Sequence, residues 1–228
     1  MSASRFSKPL ASALLGLLLL PLHAIAADSG RVMLVEGGVL IERDAQESRI
    51  AERGMVLAPG DRVTAAVSSR AQLWMEDDAV IALTSPSSLK IERYDARSGT
   101  AEYRLEKGGA RVVSGSIKPL VHTPMGEVKA IGTDFTNVLC SANCSNGPGL
   151  YIGVNKGQVK VSNGAGSVDV GAGQFAYAAS PTTAPILISA GPSIRLMFAD
   201  VAFQIDMNAL ELGVEVIIQP TEPPGSPS

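Results

Sequence analysis

A hydrolytic triad needs an imidazole base, and beyond residue 26 the chain has one histidine, His122, in the run Val121-His122-Thr123-Pro124. Apolar Val121 points to the opposite strand face, so His122 reads as a surface residue of a strand or turn and not as a catalytic base. Glu76-Asp77-Asp78 is the second candidate, either as paired carboxylates for hydrolysis or as a Ca²⁺ cluster. It lacks the spaced oxygen ligands of a calcium loop, and a solvated hairpin tip explains it more simply. The only cysteines, Cys140 and Cys144, lie in Cys-Ser-Ala-Asn-Cys. Two thiols with no other metal ligand in view do not complete a zinc site, and a disulfide closing a short loop is the expectation. Gly164-Ala165-Gly166 and Gly171-Ala172-Gly173 are not followed by the Lys-Ser/Thr of a phosphate cradle. Trp74, between Leu73 and Met75, reads as a core residue; exposed, it would offer a ring for stacking on a sugar. No catalytic residue, metal or cofactor is therefore expected, and the chain reads as a non-enzyme. A hydrolase using the carboxylates of residues 76–78 is the remote alternative.

The elements that must position these residues begin after an export signal. Arg5 and Lys8 form a positive start, Leu10 to Leu20 an apolar run, and Ala24-Ile25-Ala26 a small-x-small site. The apolar run falls short of the ~20 residues that span a bilayer, so a signal peptide over 1–26, cleaved after Ala26, is expected. The absence of a Cys at that boundary argues against a lipoprotein. Losing Arg5 and Lys8 makes the formal net charge of −3 two units more negative. A mildly acidic chain without a basic block argues against nucleic acid as a partner. No second apolar stretch reaches membrane-spanning length, so no stable membrane span is expected. In an exported protein the oxidising compartment favours the Cys140–Cys144 bond.

From Gly30 to Ala178 the chain reads as short strands between turn residues: Val39–Arg43, Ala71–Met75, Val80–Leu83, Leu89–Arg93, Tyr103–Leu105, Arg111–Val113, Val128–Ile131, Phe135–Leu139, Leu150–Val154, Gln158–Val161, Val168–Val170 and Gln174–Tyr177. This pattern predicts an all-β sandwich, roll or short solenoid. The turn at Glu76-Asp77-Asp78-Ala79 would suit Gly better at its second central position. A polar residue and Gly precede an alternating strand at Gly37, Gly108 and Gly157, unevenly spaced, which reads as recurring hairpin grammar rather than a repeat array. Residues 27–180 form the expected β domain and 181–219 a C-terminal extension packed on it. Val201, Phe203, Ile205 and Met207 alternate, as do Leu210, Leu212, Val214, Val216 and Ile218, giving a strand pair. Ile194, Met197, Phe198, Val201 and Ile205 also fit helical spacing, so a short helix stays open for the first half. Residues 220–228 have the composition of a disordered tail.

Several stretches together resemble the FecR domain, the periplasmic domain of the iron-citrate sensor-regulator family. They are Pro59-Gly60-Asp61-Arg62-Val63-Thr64, Ser69 to Asp77, Leu83 through Ser88-Leu89-Lys90-Ile91, Leu105-Glu106-Lys107-Gly108, Thr123-Pro124, Gly132-Thr133-Asp134-Phe135, Gly157 to Val161 and Gly171-Ala172-Gly173-Gln174. Read by themselves, Gly60-Asp61 suits a turn, Thr123-Pro124 must be extended or turned, and Gly132-Thr133 permits a bulge or close packing before Asp134-Phe135. Gly60, Asp61, Asp77, Thr123, Pro124, Gly132, Thr133 and Phe135 are thus expected to be architectural. Asp78 stands where the family more often has Gly, and Cys140–Cys144 with its loop looks like a local insertion.

The founding members of the family carry a cytoplasmic sigma-factor-binding segment and a membrane helix before this domain. Here the N-terminus is too short for the first and ends in a cleavage site. The resemblance therefore implies the fold and an extracytoplasmic protein-binding role, without anti-sigma activity. A periplasmic or secreted module that docks to another envelope protein, as an accessory in signalling or assembly, is the leading expectation. A cell-wall or polysaccharide-binding module is the alternative.

Overall fold

The computed structural model describes residues 28–43 and 47–198. Fourteen strands and one short helix follow one another: β1 Gly30–Glu36, β2 Val39–Arg43, β3 Arg49–Ile50, β4 Val56–Leu57, β5 Asp61–Ala65, β6 Arg70–Met75, β7 Val80–Asp95, β8 Thr100–Val113, β9 Leu120–Thr123, β10 Gly126–Cys140, β11 Gly149–Asn163, β12 Gly166–Gly171, β13 Phe175–Ala178, β14 Ile186–Ile188 and α1 Pro192–Phe198. The chain is all-β, as its alternating runs predict. The signal segment, the alternating runs 201–207 and 210–218 and the tail lie outside the described residues. Within the extension, β14 and the helix α1 are described, and α1 contains Ile194, Met197 and Phe198.

Several strands are longer than the turn signals suggest. Val80–Leu83 and Leu89–Arg93 are two halves of the 16-residue β7; β8, β10 and β11, of 14 or 15 residues, each join two predicted strands likewise. Each long strand bends in its middle, where its pairing changes. Val80 to Leu83 of β7 pair with β6, whereas Ser87 to Lys90 pair with β5. In β10, Gly126 to Lys129 pair with β9 and Asp134 to Leu139 with β8. The continuous sheet therefore folds into two layers. One contains β4, β1, β6, the first half of β7, the second halves of β8 and β10, the first half of β11, β13 and β14. The other contains β3, β2, β5, the complementary halves of the same long strands, β9 and β12. Strands that change layer through bulges are a known way of closing a β-sandwich.

The bends are built from small residues and turn chemistry. β7 crosses through a cis Ser85–Pro86 bond, β8 at Gly108 (φ 72°), β10 at Gly132 (φ 67°) and β11 at Gly157 (φ 78°). Gly37, also at positive φ, lies where β1 of one layer gives way to β2 of the other. The three recurring glycines are thus layer crossings, and Gly108 and Gly157 lie inside strands rather than at hairpin starts. Neighbouring bends nest. A methyl on Gly108 would collide with the Pro86 carbonyl oxygen, and one on Gly157 with the Gly132 carbonyl oxygen and the Thr133 methyl. Inward residues of both layers, among them Leu73, Ile81, Phe135 and Ile152 from one and Val63, Leu89, Tyr103, Val128 and Val161 from the other, form one contiguous core.

Candidate functional site

Pro59 and Gly60 (φ 94°) occupy the two central positions of a turn in which the Asp61 N–H donates to the Ala58 carbonyl at 3.1 Å. Proline followed by a positive-φ glycine is the signature of a type II turn. Asp61 is fully buried. Its carboxylate accepts the Arg43 guanidinium at both oxygens (2.6 and 2.8 Å) and the Ala58 N–H at 2.9 Å, tying β2 to the start of β5. The Asp61 pair raises the Arg43 guanidinium above its ordinary value.

Asp77 does not stand in solvent at a hairpin tip. It is 6% exposed, while Glu76 and Asp78 are exposed. The Asp77 carboxylate accepts from the Tyr94 hydroxyl at 2.8 Å, the Ile117 N–H at 3.1 Å and the Ala79 N–H at 3.4 Å. Its own N–H donates to the Tyr94 oxygen at 2.8 Å, and its carbonyl accepts the Ser116 N–H at 3.0 Å. The β6–β7 turn, the far end of β7 and the 114–119 connection are knotted together by this one residue. In the same turn Asp78 takes φ 66°, the conformation for which Gly is the easier residue. Burial and the Asp77 carboxylate push the Tyr94 phenol well above its usual range. Asp77 is thus enclosed and fully engaged, and only Glu76 and Asp78 of the acidic run face solvent.

Gly132 and Thr133 form the β10 bend, where the register against β11 shifts between Ile131 and Asp134. Thr133 is buried, its carbonyl accepting the Ser114 N–H at 2.8 Å, and Phe135 is a fully buried core ring. Between them, Asp134 faces out and accepts both arms of Arg111 at 2.7 and 2.8 Å.

His122 and Thr123-Pro124 make a different environment. Pro124 and Met125 are the two-residue link between β9 and β10, fixed by the Thr123 hydroxyl, which donates to the Gly126 carbonyl (2.8 Å) and accepts the Met125 N–H (3.2 Å). A groove of about 540 Å³ opens beside this link and is lined by Arg104, His122, Pro124, Glu127, Ser162 and Pro181, with Thr123, Gly126, Asn163 and Gly164. Sheet register builds its floor: Arg104 and Glu127 are the neighbours of His122 on either side, and Ser162 lies beyond Glu127. The His122 side chain is 19% exposed, with Nδ1 3.3 Å from Glu127 Oε1 and Nε2 3.8 Å from a carboxylate oxygen of both Glu92 and Glu102. Arg104 holds Glu92 at both oxygens and Arg93 holds Glu102 likewise. Glu127 is left with His122 as its contact and a side chain 54% exposed. The far wall is clamped by Asn163, whose amide donates to the Ser180 and Thr183 carbonyls at 3.0 and 2.7 Å. The carboxylates of Glu92, Glu102 and Glu127 thus surround the His122 imidazole, and the Ser162 hydroxyl lines the same groove. Among the described residues no group of three His, Cys, Asp or Glu side chains could hold a metal ion.

Cys140 and Cys144 are joined in a disulfide. The segment that follows it, leading into β11, is pinned by the Tyr151 and Tyr177 hydroxyls, which donate to the Gly147 and Pro148 carbonyls at 2.7 and 2.8 Å. Trp74 is not in the main core. The alternation that buries Leu73 and Met75 turns Trp74 to the outer face, where it packs half-buried with Met33, Leu34 and Val80. The Arg31 guanidinium lies over its ring at 5.6 Å from the centroid. Sequence reasoning selected the Thr123-Pro124 link but not the groove beside it. Arg104, Glu127 and Ser162 are separated along the chain and meet His122 only through strand register.

Residues 61–160 match the family model described as FecR protein, a narrower span than the stretches of resemblance, which run from Pro59 to Gln174. All but Gly60 of the eight residues expected to be architectural fall inside it. Two crystal structures of a candidate anti-sigma factor from Parabacteroides distasonis ATCC 8503, at 1.65 and 2.50 Å, are similar to this chain with TM-score 0.48 and 13% identity. Each comparison covers 56% of this chain and 59% of the other, so this chain matches less than two thirds of that protein's length. No curated protein matches. No described helix is long and apolar enough to cross a membrane.

Proposed function

Taking as premise that residues 61–160 carry a FecR domain, we propose that the protein is a periplasmic protein-binding module whose contact surface is the groove at the β9–β10 link. It acts on this reading as an accessory in envelope signalling or assembly, receiving a segment of another envelope protein. The observation that carries the reading is a division among the family-matched residues. Asp61, Asp77, Thr133 and Phe135 are buried and engaged in turns, knots and core. Pro124 instead stands exposed at the rim of a concave, polar surface with Glu127 and Ser162. Side chains that the fold does not need for its own stability, gathered in one concavity, are what a recognition surface requires. The export signal read from the sequence supports a surface outside the cytoplasm, where its partner would be another envelope protein. The glycan-binding alternative has less support, since Arg31 covers a face of the Trp74 ring that a sugar would need.

A photo-crosslinking residue at Glu127 or Ser162, and separately at exposed Arg97 on the β7–β8 turn, tests the reading in the intact envelope. The expected result is one protein captured from the two groove positions, absent from position 97, and lost when Pro124→Glu is added. Equal capture from all three positions, or none from the groove, would overturn it.

A further inference from the structure

We propose that the segment received beside the β9–β10 link is extended and acidic, and that Lys129 and Lys160 together hold its carboxylate. The assignment rests on the groove serving as the recognition surface. Lys129 of β10 and Lys160 of β11 are paired directly in register. Both are exposed on the outer face, because Val128, Ala130, Val159 and Val161 beside them fill the core. Cross-strand neighbours place their Cβ atoms ~5 Å apart, and like charges so placed destabilise the sheet. The arginines of this face are neutralised: Arg62 by Glu106 and Glu42, Arg93 by Glu102, and Arg104 by Glu92. Among the described residues neither lysine makes an ion pair or a side-chain hydrogen bond, although Asp169 of β12 stands opposite Lys160. A single carboxylate accepting from both ammonium groups relieves their repulsion through charge-assisted hydrogen bonds. Clustered cations are a recurring means of recognising acidic motifs.

The neighbouring rows give the occupant its form. Along β10 and β11, pairs on one face follow each other every second residue, ~6.7 Å apart. Glu127 opposite Ser162 borders the groove, Lys129 opposite Lys160 comes next, and Ile131 opposite Gln158 follows, with Ile131 49% exposed. Alternate side chains of an extended polypeptide repeat at the same spacing, so three rows meet three alternate residues of one segment. Glu127 calls for a hydrogen-bond donor, the two lysines for an acid, and Ile131 for an apolar side chain. A uniform polyanion, such as an acidic glycan or a surface of lipid phosphates, would set negative charge against Glu127 and against Ile131. The change of chemistry from row to row therefore favours a polypeptide.

Melting and capture read the lysine pair separately. Lys129→Glu turns a like-charge pair into an opposite-charge one, so this variant should melt at the wild-type temperature or up to ~2 °C above it. In the intact envelope the same variant should lose capture through a crosslinker at Ser162 by roughly tenfold or more, while Lys129→Arg and Arg97→Glu keep it. The captured segment should carry Asp or Glu two residues from the position that meets Ser162. Changing that acid to Lys should restore capture by the double variant Lys129→Glu, Lys160→Glu. Undiminished capture by Lys129→Glu would leave the groove as a binding surface and overturn the acidic segment. A captured polysaccharide or lipid, a captured segment without an acid, or a Lys129→Glu chain that melts several degrees lower would overturn it as well. No capture at Ser162 by the wild type would remove the groove reading and this proposal together.

Discussion

Asp77 and Tyr103 show how little of a residue's role its type alone reveals. In the sequence Asp77 is the middle of three acidic residues and looks solvated; in the fold it points inward and bonds Tyr94, Ala79 and Ile117 beside the positive-φ Asp78. The signal was present in the mismatch at position 78, where a turn preferring Gly has Asp, yet the direction of the Asp77 side chain depends on Tyr94, 17 residues away. Tyr103 is fully buried, and its hydroxyl has no hydrogen-bond partner among the described residues. Burial raises the Tyr103 phenol well above its ordinary 10.0, and burial with Asp77 raises Tyr94. Both phenols ionise more readily in the unfolded chain. Their contribution to stability is therefore full below about pH 10 and is lost as pH climbs through the raised folded values. Tyr103→Phe removes a buried hydroxyl that makes no bond, so melting at neutral pH should be unchanged or slightly higher. The loss of melting temperature between pH 9 and 11 should be smaller than in the wild type. A variant that melts several degrees lower at pH 7 would show that the hydroxyl has a partner.

The elements were legible in kind but not in extent. Alternation in Leu89–Arg93 and similar runs marks strand, because period-two burial is a local property of the chain; Val80–Leu83, buried on both faces, is a continuous apolar run. Neither pattern shows that two runs belong to one bent strand, because Gly108, Gly132 and Gly157 carry the same turn signal whether the chain reverses or changes layer. The deciding facts are the nested contacts across the bends, which join positions far apart in sequence. Gly157 and Gly173 separate these effects. Both take positive φ (78° and 76°), but a methyl on Gly157 strikes the Gly132 backbone and Thr133, whereas one on Gly173 meets nothing. Gly173→Ala should cost about 1–2 kcal/mol from left-handed strain alone. Gly157→Ala should cost clearly more, by roughly 2 kcal/mol or above, since backbone must also move. Chemical denaturation of the two variants measures the difference; equal losses would mean that the bends do not nest tightly.

For the whole molecule, two layers joined by bent strands give a rigid frame in which the most enclosed polar groups are structural and the groove lies at one end of a layer. The fold class could be anticipated from the turn residues and the apolar pattern. The groove could not, because Arg104, His122, Glu127 and Ser162 come together through register across β8, β9, β10 and β11. The central claim is that the knot at Asp77 serves stability while the groove serves binding. It is tested most directly by melting and partner capture on the same preparations of Asp77→Ala and Glu127→Lys. Asp77→Ala leaves the Tyr94 hydroxyl and two backbone N–H groups without their acceptor, a loss of about 3 kcal/mol, and should lower the melting midpoint by roughly 10 °C. Glu127→Lys, at an exposed position, should melt within about 2 °C of the wild type and capture no partner through a crosslinker at Ser162. Full capture by Glu127→Lys, or loss of capture only in proportion to lost stability, would contradict the account.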